Sequence, residues 1–185
     1  ILYMHGAFGK RLKPDDRVKQ LFDKQRATLS LGYIGLYEVA SVFYGGEWEK
    51  NKEAKDFTLD IMKYMKQCVD KWTSEGDYWY SIYSTPSESL TDRFCRMDTE
   101  KFGMVENVTD KEYYTNSYHY DVRNDPTPFE KLDFEKDYPY YASGGFIHYC
   151  EYPVLKQNPK ALEAVWDFAY DKVGYLGTNT PIDRC

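Results

Sequence analysis

Apolar residues recur along this chain in two rhythms: short runs suited to strands, and longer stretches with helical spacing. Thr28-Leu29-Ser30-Leu31-Gly32-Tyr33 reads as a strand. A helix is predicted from residue 34 to the Gly45-Gly46 stop signal. A long amphipathic helix follows over 51–72, with Phe57, Ile61, Tyr64, Met65, Cys68 and Trp72 forming its apolar stripe. Residues 78–83 read as a second strand and 86–102 as a third helix. The stretch 113–122, rich in Tyr, Thr and Val, is a third strand candidate. Pro126, Pro128 and Pro139 make 123–142 mostly loop. A fourth strand over 146–152 is entered through Ser143-Gly144-Gly145. A helix over 159–172 is expected to bury Leu162, Val165, Trp166 and Ala169, and an extended stretch covers 174–182.

Strands separated by helices of this length predict βαβ units, hence an α/β fold with a parallel sheet. Right-handed crossovers curl such a sheet into a barrel or a doubly wound layer. About five strands would leave an open edge, which an unseen remainder or a partner should cover. No repeat or low-complexity segment interrupts the pattern.

Composition adds a few constraints. Of 185 residues 42% are hydrophobic, enough for a core, and the 19 Tyr suit half-buried positions or a cavity wall. The net charge of -6 and the lack of a basic stripe argue against a nucleic-acid surface. The apolar runs are too short to span a bilayer, so no membrane partner is expected. Ile1-Leu2-Tyr3-Met4-His5-Gly6 is no signal peptide and opens in mid-pattern, as a fragment would. Cys68, Cys95, Cys150 and Cys185 match no compact disulfide framework. Cys68 and Cys95 lie on predicted apolar stripes and read as reduced, buried thiols, which fits a reducing cytoplasm.

Several runs can carry chemistry. In Thr85-Pro86-Ser87-Glu88 a strand gives way to a helix, with Thr85 placed as N-cap, Pro86 first in the helix and Glu88 closing a capping box. The same turn can instead seat a phosphate, because helix N-termini favour anions and Thr85, Ser87 and Ser89 bring hydroxyls. Glu88 would repel phosphate unless it turns away, and the motif by itself leaves both readings open. Tyr114-Thr115-Asn116-Ser117-Tyr118-His119 is polar within a strand pattern. Asn116 there needs a role, either in an internal network or toward a ligand. His119 and His148 read as core or surface residues rather than metal ligands, and no paired-ligand spacing points to an internal metal site. Gly32-Tyr33-Ile34-Gly35 lacks the spacing of a dinucleotide loop and fits close packing at a turn. Cys185, after Thr180-Pro181-Ile182-Asp183-Arg184, can be the first half of an interrupted Cys-x-x-Cys.

As an ordered set, these runs become specific. Residues 26–38 (Arg-Ala-Thr-Leu-Ser-Leu-Gly-Tyr-Ile-Gly-Leu-Tyr-Glu) and 84–93 lead the set. Val108-Thr109-Asp110 and Tyr114-Thr115-Asn116-Ser117-Tyr118-His119 follow, then residues 141–147 and 177–183. In this order the set resembles the anaerobic (class III) ribonucleoside-triphosphate reductases, from near residue 1 to residue 185. The resemblance implies roughly the second half of a ten-stranded α/β barrel made of two parallel half-barrels, with residues 1–185 as one partial catalytic barrel domain without an internal boundary. It implies reduction of the ribose 2′-carbon of a ribonucleoside triphosphate, which supplies deoxyribonucleotides for DNA replication. A glycyl radical would generate a thiyl radical on a finger-loop Cys, with formate as reductant. A radical-SAM activating protein and a homodimeric assembly belong to the full-length enzyme. The thiyl Cys is expected before Ile1 and the glycyl loop after Cys185, so the segment alone should be inactive. Cys68, Cys95 and Cys150 match no radical motif. By the resemblance, Thr85, Ser87, Glu88 and Ser89 form the substrate-phosphate site and Cys185 is a zinc-ribbon ligand of the full-length enzyme; Asn116 and Ser117, from their place in the strand pattern, are candidate substrate-pocket residues.

Two other readings stand beside this one. A carbohydrate-active α/β domain would use Glu88 and Glu151 as acid and base, which requires the carboxyl groups to face each other about 5–10 Å apart. A non-catalytic interaction module would use the Tyr-rich surface as a binding face.

Overall fold

The computed structural model describes residues 1–84 and 86–180. After three short 3-10 turns, the strand β1 (Thr28–Gly32) leads into helix α1 (Leu36–Tyr44). Helix α2 (Lys52–Glu75), strand β2 (Trp79–Ser84) and helix α3 (Ser89–Phe102) follow. Helix α4 (Pro128–Glu135) precedes strands β3 (Gly145–Phe146) and β4 (His148–Glu151). Helix α5 (Pro159–Tyr170) and strand β5 (Leu176–Asn179) come last. Among the described residues every strand pair is parallel: β1 with β2, β2 with β3, and β4 with β5. The expected strand over 146–152 is therefore present with a break. Its first part pairs with β2, Ile147 interrupts it, and its second part pairs with β5. Tyr118 donates its hydroxyl to the Ile147 carbonyl at 3.2 Å, satisfying the backbone at the break.

Three expectations are overturned. Residues 113–122 form no strand; their only bridge is an antiparallel one between Ile34 and Asn116. Residues 123–142 are not mostly loop, because α4 and the 3-10 turns Val122–Asn124 and Pro139–Tyr141 fall within or across them. Thr127-Pro128-Phe129-Glu130 builds there the capping box that was expected at Thr85-Pro86-Ser87-Glu88. Thr127 Oγ1 accepts from the Glu130 amide at 3.3 Å, and the Thr127 amide donates to Glu130 Oε2 at 2.9 Å. At the earlier copy of the pattern α3 begins only at Ser89, so Glu88 sits at the N-cap rather than inside the helix. Replacing Thr127 by Ala should lower stability by about 1 kcal/mol, read from the urea midpoint; an unchanged midpoint would remove α4's cap from the stabilising interactions.

Two clusters form the core. The larger joins Leu36, Tyr37, Trp48, Met62, Ile82, Tyr118 and Tyr138, with α2 lying across β2. The smaller joins Leu132, Cys150, Tyr152, Val165 and Ala169. On α2 the fully buried positions are Ala54, Thr58, Met62 and Val69, one step round from the expected stripe. Small residues let the helix sit close to the sheet. The larger ones flank it: Tyr64 is 67% exposed, and Trp72 packs its ring edge on Tyr80. Cys95 is buried as expected, Cys68 only half-buried, and Trp166 is half-exposed rather than core. Among the described residues no helix is long and apolar enough to cross a membrane.

Candidate functional site

The carboxyl ends of β1 and β2 open onto a cavity of about 420 Å³, bordered by Gly32, Tyr83 and residues 86–90. In parallel α/β folds ligands bind at such strand ends. Glu88 occupies φ 46°, ψ -123°, a left-handed conformation that non-glycine residues adopt at a cost of about 1–3 kcal/mol. The amides of Leu90 and Thr91 close the first turn on the carbonyls of Ser87 and Glu88. Ser87 is half-buried, whereas Glu88 and Ser89 are exposed. Ser84 at the end of β2 donates to the Tyr33 hydroxyl at 2.7 Å. Thr85 lies outside the described residues, as does Cys185.

Asn116 has the role its position demanded. Its Oδ1 accepts from the Ser87 amide at 2.8 Å, which ties residues 114–119 to the turn after β2. The same segment is stitched to the turn after β1: Gly35 donates to the Thr115 carbonyl at 2.8 Å and Leu36 to that of Ser117 at 3.4 Å. Gly35 adopts φ 82° at the N-cap of α1, which suits a glycine. Glu38 of α1 fixes the segment from below, accepting from the Thr115 amide at 2.8 Å and from Lys111 at 2.6 Å, both in near-complete burial. Ser117 is fully buried, with φ 44°, and borders neither of the two cavities bounded by residues 86–90 and by His119.

Pro86 also borders a second cavity of about 450 Å³, which is lined by Asn116 and reaches His119, Lys131, Tyr149 and Glu151. Strand β4 alternates, burying His148 and Cys150 and turning Tyr149 and Glu151 toward this space. Behind the wall lies Glu135, fully buried. It accepts from the Tyr120 amide at 2.8 Å, contacts His148 Nδ1 at 2.9 Å and His119 Nδ1 at 3.3 Å, and is bonded to Lys131. Burial works against its charge, but the His119, Lys131 and His148 contacts outweigh it and hold the carboxyl below its usual range. Burial, the largest influence on His119, lowers its pKa. Asp121 is also committed. Arg123 grips it from Nη2 at 2.8 Å and Nε at 3.0 Å, which overcomes burial and keeps it ionised.

This cluster escapes a reading of the sequence. Glu135 stood in a presumed loop, and the available signal was the Thr-Pro-x-Glu start followed by Lys131 and Glu135 at helical i, i+4 spacing. Glu88 and Glu151 open onto different cavities, which does not favour the facing pair a glycosidase needs. Burial raises the thiols of Cys95 and Cys150, leaving them protonated and inert. Among the described residues no cluster of three or more ligating side chains could hold a metal.

A family model described as anaerobic ribonucleoside-triphosphate reductase matches residues 1–185. The curated anaerobic ribonucleoside-triphosphate reductase of Haemophilus influenzae is 54% identical over 186 residues, covering 100% of this chain and 26% of that protein. That of Escherichia coli is 53% identical over the same span, again 26% of its length. The phage T4 enzyme is 46% identical over 185 residues, 29% of its length. The chain thus spans 26% to 29% of the length of these relatives. The crystal structure of the anaerobic ribonucleotide reductase from Thermotoga maritima with citrate in the active site superposes at TM-score 0.62 and 20% identity, over 83% of this chain and 28% of that one. The same enzyme in complex with dATP and CTP gives 0.57 at 18% identity, over 83% and 25%. The superpositions show the fold, an α/β arrangement of parallel strands from a reductase barrel. With the family model matched from the first residue to the last, this chain belongs to the anaerobic ribonucleoside-triphosphate reductase family.

Proposed function

We propose that residues 1–185 form one partial barrel domain of an enzyme that reduces ribonucleoside triphosphates to deoxyribonucleotides, and that the turn after β2 seats the substrate's phosphates. The observation that carries the seat is the bond from the Ser87 amide to Asn116 Oδ1. It joins the two segments picked out in the sequence at the carboxyl ends of parallel strands, where the sheet and the N-terminus of α3 favour an anion. The exposed Glu88 is free to turn away from the anion.

The radical chemistry belongs to residues outside this chain: a glycyl radical and a thiyl Cys, with formate as reductant and a radical-SAM protein as activator of a homodimer. Cys185 would be one zinc ligand, and about three more would have to come from elsewhere, since structural zinc takes four.

The test is the double variant Thr85→Ala, Ser87→Ala in the whole reductase. Substrate binding should weaken by about 1–3 kcal/mol, seen as a higher KM. An unchanged KM would reject the phosphate seat.

A further inference from the structure

Two histidines share the Glu135 carboxylate, and each has an Nε2 without a partner among the described residues. They differ in surroundings. His148 is fully buried and borders neither of the two cavities described above, whereas His119, 9% exposed, forms part of the wall of the 450 Å³ cavity. A buried nitrogen without a partner is costly unless something supplies a hydrogen bond.

The chemistry of that nitrogen follows from its neighbours. Both Glu135 Oε1, at 3.3 Å, and Lys131 Nζ, at 3.5 Å, lie at His119 Nδ1. The carboxylate is nearer, and Lys131 is itself bonded to it. A carboxylate only accepts, so Nδ1 carries the proton and Nε2 is left with a lone pair. The cavity wall therefore carries an unpartnered acceptor at His119, whose Nε2 is itself buried, a second at the exposed Glu151 carboxylate, and the flat ring of Tyr149, 41% exposed and 6.4 Å from the His119 ring. Acceptors beside an aromatic face suit a hydroxyl-bearing ring. Asn116 links this space to the turn after β2, because it borders the cavity and holds the Ser87 amide.

We infer that His119, fixed by Glu135, is a specificity-determining residue whose Nε2 accepts a hydrogen bond from a ribose hydroxyl of the nucleotide anchored at Ser87–Ser89. The inference rests on the proposed phosphate seat. Glu135 is a positioning residue that sets the tautomer and angle of the ring.

Equilibrium binding of CTP and 2′,3′-dideoxy-CTP to the whole reductase, without radical activation, tests it. The wild type should bind CTP about tenfold more tightly than the dideoxy analogue, the size of one good hydrogen bond. His119→Asn keeps an amide at the level of Nδ1 and removes the acceptor at Nε2. It should lose most of that preference, with dideoxy affinity unchanged. His119→Gln, whose amide reaches the level of Nε2, should regain part of the preference. A wild type that does not discriminate, or a His119→Asn protein that discriminates as strongly as the wild type, overturns the inference. If the wild type binds neither nucleotide, the phosphate seat itself fails and the sugar contact falls with it. A co-crystal of the wild type with CTP is independent of how the variants fold: a ribose oxygen within about 3.2 Å of Nε2 supports the contact, and one directed elsewhere overturns it.

Discussion

Replacing Glu135 by Leu should lower the unfolding free energy by about 3–5 kcal/mol, measured as a fall in the urea midpoint at constant slope. The carboxylate is fully buried and is the common partner of Lys131, His119 and His148. Leucine fills much the same volume but leaves an ammonium at the protein wall and two imidazoles without their orienting acceptor. A variant within about 1 kcal/mol of wild type would mean that Lys131 swings to solvent and relieves the loss.

Acid should act on the same cluster. The folded pKa of Glu135 lies below its ordinary 4.5, so its stabilising contribution is full above that value and is lost as pH falls through the folded pKa. The folded pKa of His119 lies below its ordinary 6.5, so on acidification the unfolded chain binds a proton first. Both effects have one sign: stability declines as pH drops below 6.5, and the Glu135 part appears only below 4.5. Urea midpoints across this range should show Glu135→Leu lacking the more acidic part of the decline. A parallel decline in both proteins would remove Glu135 as its source.

Gly144→Ala should destabilise the protein by about 1–3 kcal/mol through overpacking where β2 meets β3. A methyl group there would stand 2.5 Å from Ser81 Oγ and 2.9 Å from the Ile82 carbonyl oxygen, to which Gly144 already donates at 2.7 Å. The serine can rotate, but the carbonyl belongs to the strand and cannot. Adding Ser81→Gly should therefore recover only part of the loss in urea unfolding. Full recovery would show that the side chain, not the backbone, sets the limit.

Much of the architecture was legible in the residues. Glycine stops, the alternation at 28–33 and 78–83, and the long amphipathic run fixed β1, α1, α2 and β2 near their observed bounds, because these signals are local. The site was legible in part. Asn116 stood out as out of place in a strand pattern, but its partner, the Ser87 amide, is 29 positions away.

What the amino-acid order determined alone was the α/β class, the helices with strong caps and periodicity, and, through its ordered motifs, the family. Only the tertiary structure decided which of two Thr-Pro-x-Glu copies became a capping box and which face of α2 turned inward. It also left 113–122 without a strand and gathered His119, Lys131 and His148 round the Glu135 carboxylate. Periodicity and capping act within a few residues of chain, so sequence reports them directly. Burial of a charge, register between segments and the fit of a helix on a sheet depend on groups far apart in the chain, whose energies exist only once the fold brings them together.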